Sequence, residues 1–244
     1  MHPLHLEFGF AIVAILIGIT PYSSWVQNSF SVLVSQNPQK PPDKDPPPGR
    51  RVRGGDLDPT NPNCKKTSQP LTAIVPANSQ GKITSERFTL WFYVPYTPED
   101  ITSAEFSILN RDETEYVYQT LFTLPKTPGI VSISLPLSAK TSLEIGKFSH
   151  WYLTLKCKGS TTNTPDIEMD GWVQRILPKP SSITNQINAA TPDVWYDDVN
   201  NLANRILAFP QDTKLKQEWT DLLKSVGLSH LAQEPLIGPV IISK

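Results

Sequence analysis

The chain is poor in the residues from which most metal and cofactor sites are built. Its 244 residues include two cysteines and four histidines. Zinc sites made of several Cys and His ligands are hard to assemble from that supply, so neither a metal nor a cofactor is expected. The chain has no Gly-x-Gly-x-x-Gly loop, no Walker loop, no EF-hand loop and no Gly-x-Ser-x-Gly elbow. A charge excess is missing too, with 22 Lys plus Arg against 23 Asp plus Glu. No net field draws the chain to nucleic acid, and none is expected as a partner. Glycine is scarce at 12 residues, whereas proline reaches 24. That ratio favours turn-rich β structure and an extended linker over long helices.

Phe88 to Tyr96 (FTLWFYVPY) organises what is present. Phe88, Leu90, Phe92 and Val94 alternate with Thr89, Trp91 and Tyr93. Such a run reads as a strand apolar on both faces, hence a central one, and Pro95 ends it. Further strands are expected over Leu71–Val75, Ala104–Leu109, Glu115–Leu124, Ile130–Leu135, His150–Cys157 and Ile167–Leu177. Asn78 to Gly81 reads as a turn. Roughly seven strands spaced by turn signals, with no helical pattern between them, predict an antiparallel β-sandwich over 71–178.

Before that lies Phe8 to Ile19, an uninterrupted apolar run of twelve residues. This is the length of a signal-peptide core and short for a membrane span. Its flank carries no Lys or Arg. Residues 1–35 are expected to be a signal peptide or a membrane anchor, with a buried N-terminal helix as the alternative. Any membrane contact is expected through this segment alone. The final location is then periplasmic or secreted. Residues 36–70 are rich in Pro, Gly, Asn and charge, which reads as a linker. Arg50-Arg51-Val52-Arg53 inside it reads as part of a solvated tether, or as a foothold on anionic lipid, wall polymer or nucleic acid. Cys64 and Cys157 bracket the strands. In an exported chain they suggest a disulfide, and two buried free thiols are the alternative.

After Pro178 the hydrophobic period changes. Ser181–Ala190 suggests a short helix, and Thr191-Pro192-Asp193 suggests a helix start. Val194, Trp195, Val199, Leu202, Ile206 and Phe209 form one stripe, stopped by Pro210. Leu215, Trp219, Leu222, Leu223 and Val226 form a second, with Asp212 or Thr213 as cap and Gly227 after its end. Residues 179–235 are therefore expected to contain a helical hairpin, and 236–244 a tail with a strand-like Val240–Ile242.

The chemistry-bearing residues are few. His150 starts a strand, and Asp166, Glu168 and Asp170 alternate so that all three can share one face. That pattern suits a carboxylate pair for glycoside hydrolysis or a calcium site, and it equally suits a solvated sheet face. No catalytic residue is assigned. The better binding argument lies with aromatic rings in and beside strands. Trp91, Tyr93, Tyr96, Trp151 and Trp172 could line a sugar or peptide face, in competition with burial in the core.

Six blocks occur in a familiar order. They are Leu90–Tyr96, Thr127–Pro136, Gly146–Tyr152, Gly171–Arg175, Trp195–Asp197 and Trp219–Gly227. Together they resemble a cyanobacterial family known as the domain of unknown function numbered nine-two-eight, across about Cys64 to Pro235. The resemblance implies an exported protein with a Pro/Gly-rich linker, and it implies no activity. The expectation is thus an exported, non-catalytic interaction protein of the cell envelope, with a protein or envelope glycan as partner. A glycan-directed hydrolase using Glu168, Asp170 or His150 is the alternative, and a structural envelope component is a third.

Overall fold

A computed structural model describes residues 44–52, 64–138, 141–161, 163–178 and 194–243. The N-terminal apolar run, most of the linker, Arg53, the helix expected over Ser181–Ala190 and the Thr191–Asp193 start signal lie outside the described residues. The chain forms a β-sandwich followed by a helical hairpin. The strands are β1 (Thr72–Ala73), β2 (Gln80–Ile83), β3 (Thr89–Val94), β4 (Ile101–Leu109), β5 (Tyr116–Thr123), β6 (Gly129–Ser134), β7 (Phe148–Cys157) and β8 (Ile167–Arg175). The helices α1 (Trp195–Ala208) and α2 (Thr213–Ser225) follow, then β9 (Leu236–Pro239) and β10 (Ile241–Ile242). One sheet runs β1-β3-β6-β9, and the other runs β10-β5-β4-β7-β8-β2.

β3 is internal to its sheet, and all six of its residues are buried. Its two-faced apolarity follows from that place: one face meets the second sheet and the other meets α1. Trp91 shows the second contact, donating its indole N–H to Asn200 Oδ1 of α1 at 3.1 Å. On β7 the alternation is strict. Trp151, Leu153, Leu155 and Cys157 face the core, while His150, Tyr152, Thr154 and Lys156 face outward. Cys64 and Cys157 are joined by a disulfide.

Two edge pairs depart from the antiparallel expectation. β2 runs parallel to β8, and β9 runs parallel to β6. β2 takes in the last two residues of the stretch read as a turn. A four-residue strand such as QGKI has too few positions to show period two, and Asn78 and Gly81 carry turn signals that masked it.

The hairpin is built as its caps predict. Asp212 accepts the backbone N–H groups of Lys214 and Leu215 at 2.8 and 3.1 Å. Gly227 at φ +75° turns the chain out of α2, and the Leu228 N–H returns to the Leu223 carbonyl. Among the described residues no helix is long and apolar enough to cross a membrane.

α1 docks through its first turn. Trp195 Nε1 donates to the Ile74 carbonyl, and the buried Tyr196 hydroxyl donates to the Trp172 carbonyl. Asp197 accepts from Thr84 N, Thr84 Oγ1 and Ser85 Oγ at 2.6, 2.8 and 2.7 Å. Asp198 stands next to it. Burial, and then the charge of Asp197, push its carboxyl up to about 6. The folded state therefore holds the Asp198 proton more tightly than the unfolded chain does. Ionisation removes stability as pH rises from about 4 through 6, at most about 3 kcal/mol. Asp198→Asn is expected to raise the melting temperature by a few degrees at pH 7.5 and to leave it unchanged at pH 4. Thermal denaturation at the two pH values checks this.

Candidate functional site

The outward face of β7 and β8 carries a polar cluster centred on His150. His150 Nε2 lies 3.0 Å from Asp170 Oδ2, and Nδ1 lies 2.8 Å from Glu113 Oε1. The Tyr152 hydroxyl reaches Glu113 Oε2 at 3.1 Å and His150 Nδ1 at 2.9 Å. Each ring nitrogen thus lies within hydrogen-bond distance of one carboxylate. The Trp172 ring stacks on His150 with centroids 3.8 Å apart and planes 13° apart. The Arg111 guanidinium covers the Trp172 ring at 5.1 Å, a cation–π contact. Arg50 completes the set: its Nε donates to Asp170 Oδ1 at 2.7 Å and its Nη2 donates to Glu168.

The charges follow from these partners. Burial pushes the Asp170 carboxyl up, but the hydrogen bonds from His150 and Arg50 outweigh it and hold the group below the usual carboxylate range. Burial and the neighbouring Glu113 push the Tyr152 hydroxyl up. Glu113 sits at φ +57°, a conformation costly for a residue with a Cβ, and its bonds to His150 and Tyr152 hold it there.

This cluster is saturated. A general base needs a lone pair facing a substrate. Both nitrogens of His150 are engaged, and the residue is 7% exposed. Glu168 and Asp170 share one guanidinium in place of a sugar. The arrangement holds the β4–β5 turn and Arg50 against the sheet. Asp166 does not join it. That carboxylate accepts from Cys157 N and Ser160 Oγ, each at 2.9 Å. With the two sulfurs its oxygen falls in a group spanning 4.8 Å, but sulfurs bonded to each other supply no thiolate for a metal.

A second feature is open. α1, the α1–α2 turn, α2 and the segment leading into β9 enclose a groove of about 370 Å³. Ile206, Leu207, Pro210, Trp219, Ala232 and Leu236 supply its apolar lining, and Lys216, Thr220, Gln233 and Glu234 its polar lining. The buried Trp219 indole N–H has no hydrogen-bond partner among the described residues. A buried donor without an acceptor costs roughly 1–3 kcal/mol, so it asks for an explanation. Phe209 is 65% exposed at the α1–α2 turn, and Leu207 and Ile237 are exposed nearby.

The family described as Domain of Unknown Function (DUF928) matches residues 49–236. The chain belongs to the DUF928 family. No curated protein matches it. The DUF928 match begins fifteen residues before Cys64, the start of the resemblance seen in the sequence. The structure supplies the reason. Gly49 N–H bonds the Asn78 carbonyl, and the Arg50 carbonyl accepts from Asp170 N at the open edge of β8. The Arg51 carbonyl then accepts from Ala73 N, and Val52 bridges to Thr72 on the other sheet. Gly49–Val52 of the DUF928 domain thus stitches the edges of both sheets together. Arg51 Nη1 also donates to the Val226 carbonyl at the end of α2 at 2.6 Å. The solvated-tether expectation fails for Arg50 and Arg51, because both guanidinium groups are docked.

The five aromatic candidates lie elsewhere. Trp91, Tyr93, Tyr96, Trp151 and Trp172 are all 4% exposed or less. They form no open ligand face in this DUF928 domain. Trp91 and Trp151 are held between the sandwich and α1, Trp151 by donating to the Tyr196 hydroxyl at 2.9 Å. Trp172 lies under His150 and Arg111. Of the three alternating acids, Glu168 and Asp170 do share one face, where both meet Arg50, whereas Asp166 is engaged elsewhere; the alternation did not put His150 with them. It could not bring in Glu113 or Arg50, which arrive from a distant turn and from the linker. Trp219 and Phe209 were legible only as members of helical stripes.

Proposed function

We propose that this DUF928 protein is an exported, non-catalytic interaction module of the cell envelope that receives a protein partner at its helical hairpin. The observation that carries the reading is the groove beside Trp219, with its unpaired indole N–H and the exposed Phe209 at its margin. Export is supported by the buried disulfide, which belongs to oxidising compartments, and by the N-terminal apolar run. Against the hydrolase alternative, its candidate residues His150, Glu168 and Asp170 are engaged with one another or with Arg50 and Glu113.

Two measurements on cells producing the full chain test this. Fractionation with thiol trapping is expected to find oxidised Cys64 and Cys157 in a periplasmic, secreted or membrane fraction. Cytosolic protein with two free thiols would overturn export. A photo-crosslinking amino acid at Phe209 is expected to give a discrete protein adduct that Leu207→Glu abolishes. The same probe at Leu177, 64% exposed, is expected to give none. Equal adducts from both positions, or none from Phe209, would sink the groove as an interaction site.

A further inference from the structure

We infer that a proton shared between His150 and Glu113 latches the β4–β5 turn to the sheet, and that its loss as pH rises lets the turn swing free. The proton count carries this. A neutral imidazole has one N–H and one lone pair, whereas the His150 ring has a carboxylate oxygen against each nitrogen, at 2.8 and 3.0 Å. Two acceptors that close need a proton between them. One proton therefore lies on the Nδ1–Glu113 contact as well as on the Nε2–Asp170 contact. Charge asks for the same. The groups facing the ring are Glu113 and Arg111 from the turn, Tyr152 from β7, Glu168 and Asp170 from β8, and Arg50 from the N-terminal segment. The carboxylates of Glu113, Glu168 and Asp170 against the guanidinium groups of Arg50 and Arg111 leave a negative charge, which the extra proton neutralises. The Trp172 ring stacked on His150 favours a cation over its face.

Glu113 is the partner that leaves. Asp170 keeps Arg50 at 2.7 Å, and it keeps the single N–H of a neutral ring. Among the described residues the Glu113 carboxylate is bonded only by His150 and Tyr152. The Tyr152 hydroxyl lies 3.1 Å from Glu113 Oε2 and 2.9 Å from His150 Nδ1. Burial, and then the charge of Glu113, push that hydroxyl up, so it stays a donor. Once Nδ1 bears a lone pair the hydroxyl turns to it, and Glu113 loses both donors in one step. Its side chain is 45% exposed, so water can take it up, and its backbone can then leave φ +57°. The latched turn binds one proton more than the free turn, so low pH favours the latch and rising pH opens it. Arg111 moves with the turn. Its Nη2 donates to the Lys44 carbonyl at 3.2 Å, so the N-terminal segment loses a tie when the turn opens.

A nitroxide attached through Asp112→Cys, an exposed position in the turn, reports on it in the full chain with the Cys64–Cys157 bridge intact. Its electron paramagnetic resonance spectrum is expected to show a restricted component at pH 5 and to lose it by pH 9. Glu113→Gln is expected to keep the restricted component at both pH values, because the amide offers an N–H to a ring lone pair and an oxygen to a ring N–H. Glu113→Ala is expected to lack it at both. The far-ultraviolet circular dichroism is expected to stay the same across the range, which keeps the change local. Equal spectra at the two pH values overturn the latch, and so does a pH response that survives Glu113→Gln. Loosening that arrives together with a loss of far-ultraviolet dichroism is unfolding of the whole domain and overturns it as well.

Discussion

Chains lacking the Cys64–Cys157 bridge are expected to lose about 4–5 kcal/mol of stability, a large part of what holds most domains folded. The bridge closes 93 residues of sequence, and its Cα atoms lie 5.2 Å apart. Opening it releases a long loop in the unfolded chain, which is where most of the effect arises. The bridge also fixes Cys64 to the end of β7, where Cys157 pairs with Ile101 at the start of β4. Urea denaturation of the Cys64→Ala/Cys157→Ala chain beside the oxidised wild type measures the difference. A midpoint displaced by less than the equivalent of about 1 kcal/mol would mean that the sandwich closes without help from the bridge.

Gly171→Ala is expected to be nearly as damaging, by a different route. A Cβ built at Gly171 would stand 2.4 Å from the Ser79 carbonyl oxygen and 2.4 Å from Trp151 Cζ2. Neither neighbour can yield cheaply. The Ser79 carbonyl accepts the Trp172 N–H, and the Trp151 ring is fully buried with its N–H on Tyr196. Overpacking of this kind costs about 3 kcal/mol, and more where backbone must move. The near-ultraviolet circular dichroism of the tryptophans is expected to weaken together with the urea midpoint. Unchanged spectra and stability would show that the Trp151 ring has room to swing. The sequence offered a hint here, since a glycine inside an apolar strand marks a bulge or a close approach. Only the fold shows that the approach is that of Trp151 and the Ser79 carbonyl.

The fold was legible wherever the signal was local. β3 announced itself by apolarity on both faces, β7 by strict alternation, and the hairpin by Asp212, Pro210 and Gly227. The sites were less legible. His150 stood alone in the sequence because Glu113 and Asp170 come from a distant turn and a neighbouring strand, and only Tyr152 shares its own. The aromatic rings advertised a binding face because composition does not say which face of a strand the second sheet or a helix covers. Trp219 looked like any core residue of a helical stripe, and its missing acceptor is a fact of packing.

From the sequence alone came the β-sandwich and the helical hairpin, because each depends on a period or a cap, while the cysteine count suggested a bridge and left free thiols open. Tertiary structure alone decided the parallel edges β2 and β9, the docking of Arg50 and Arg51, the closure of the His150 cluster and the groove beside Trp219. All of these depend on residues far apart in the chain coming within hydrogen-bond or packing distance. Local pattern carries no record of such contacts, since a linker arginine reads the same whether it meets water or a buried carboxylate.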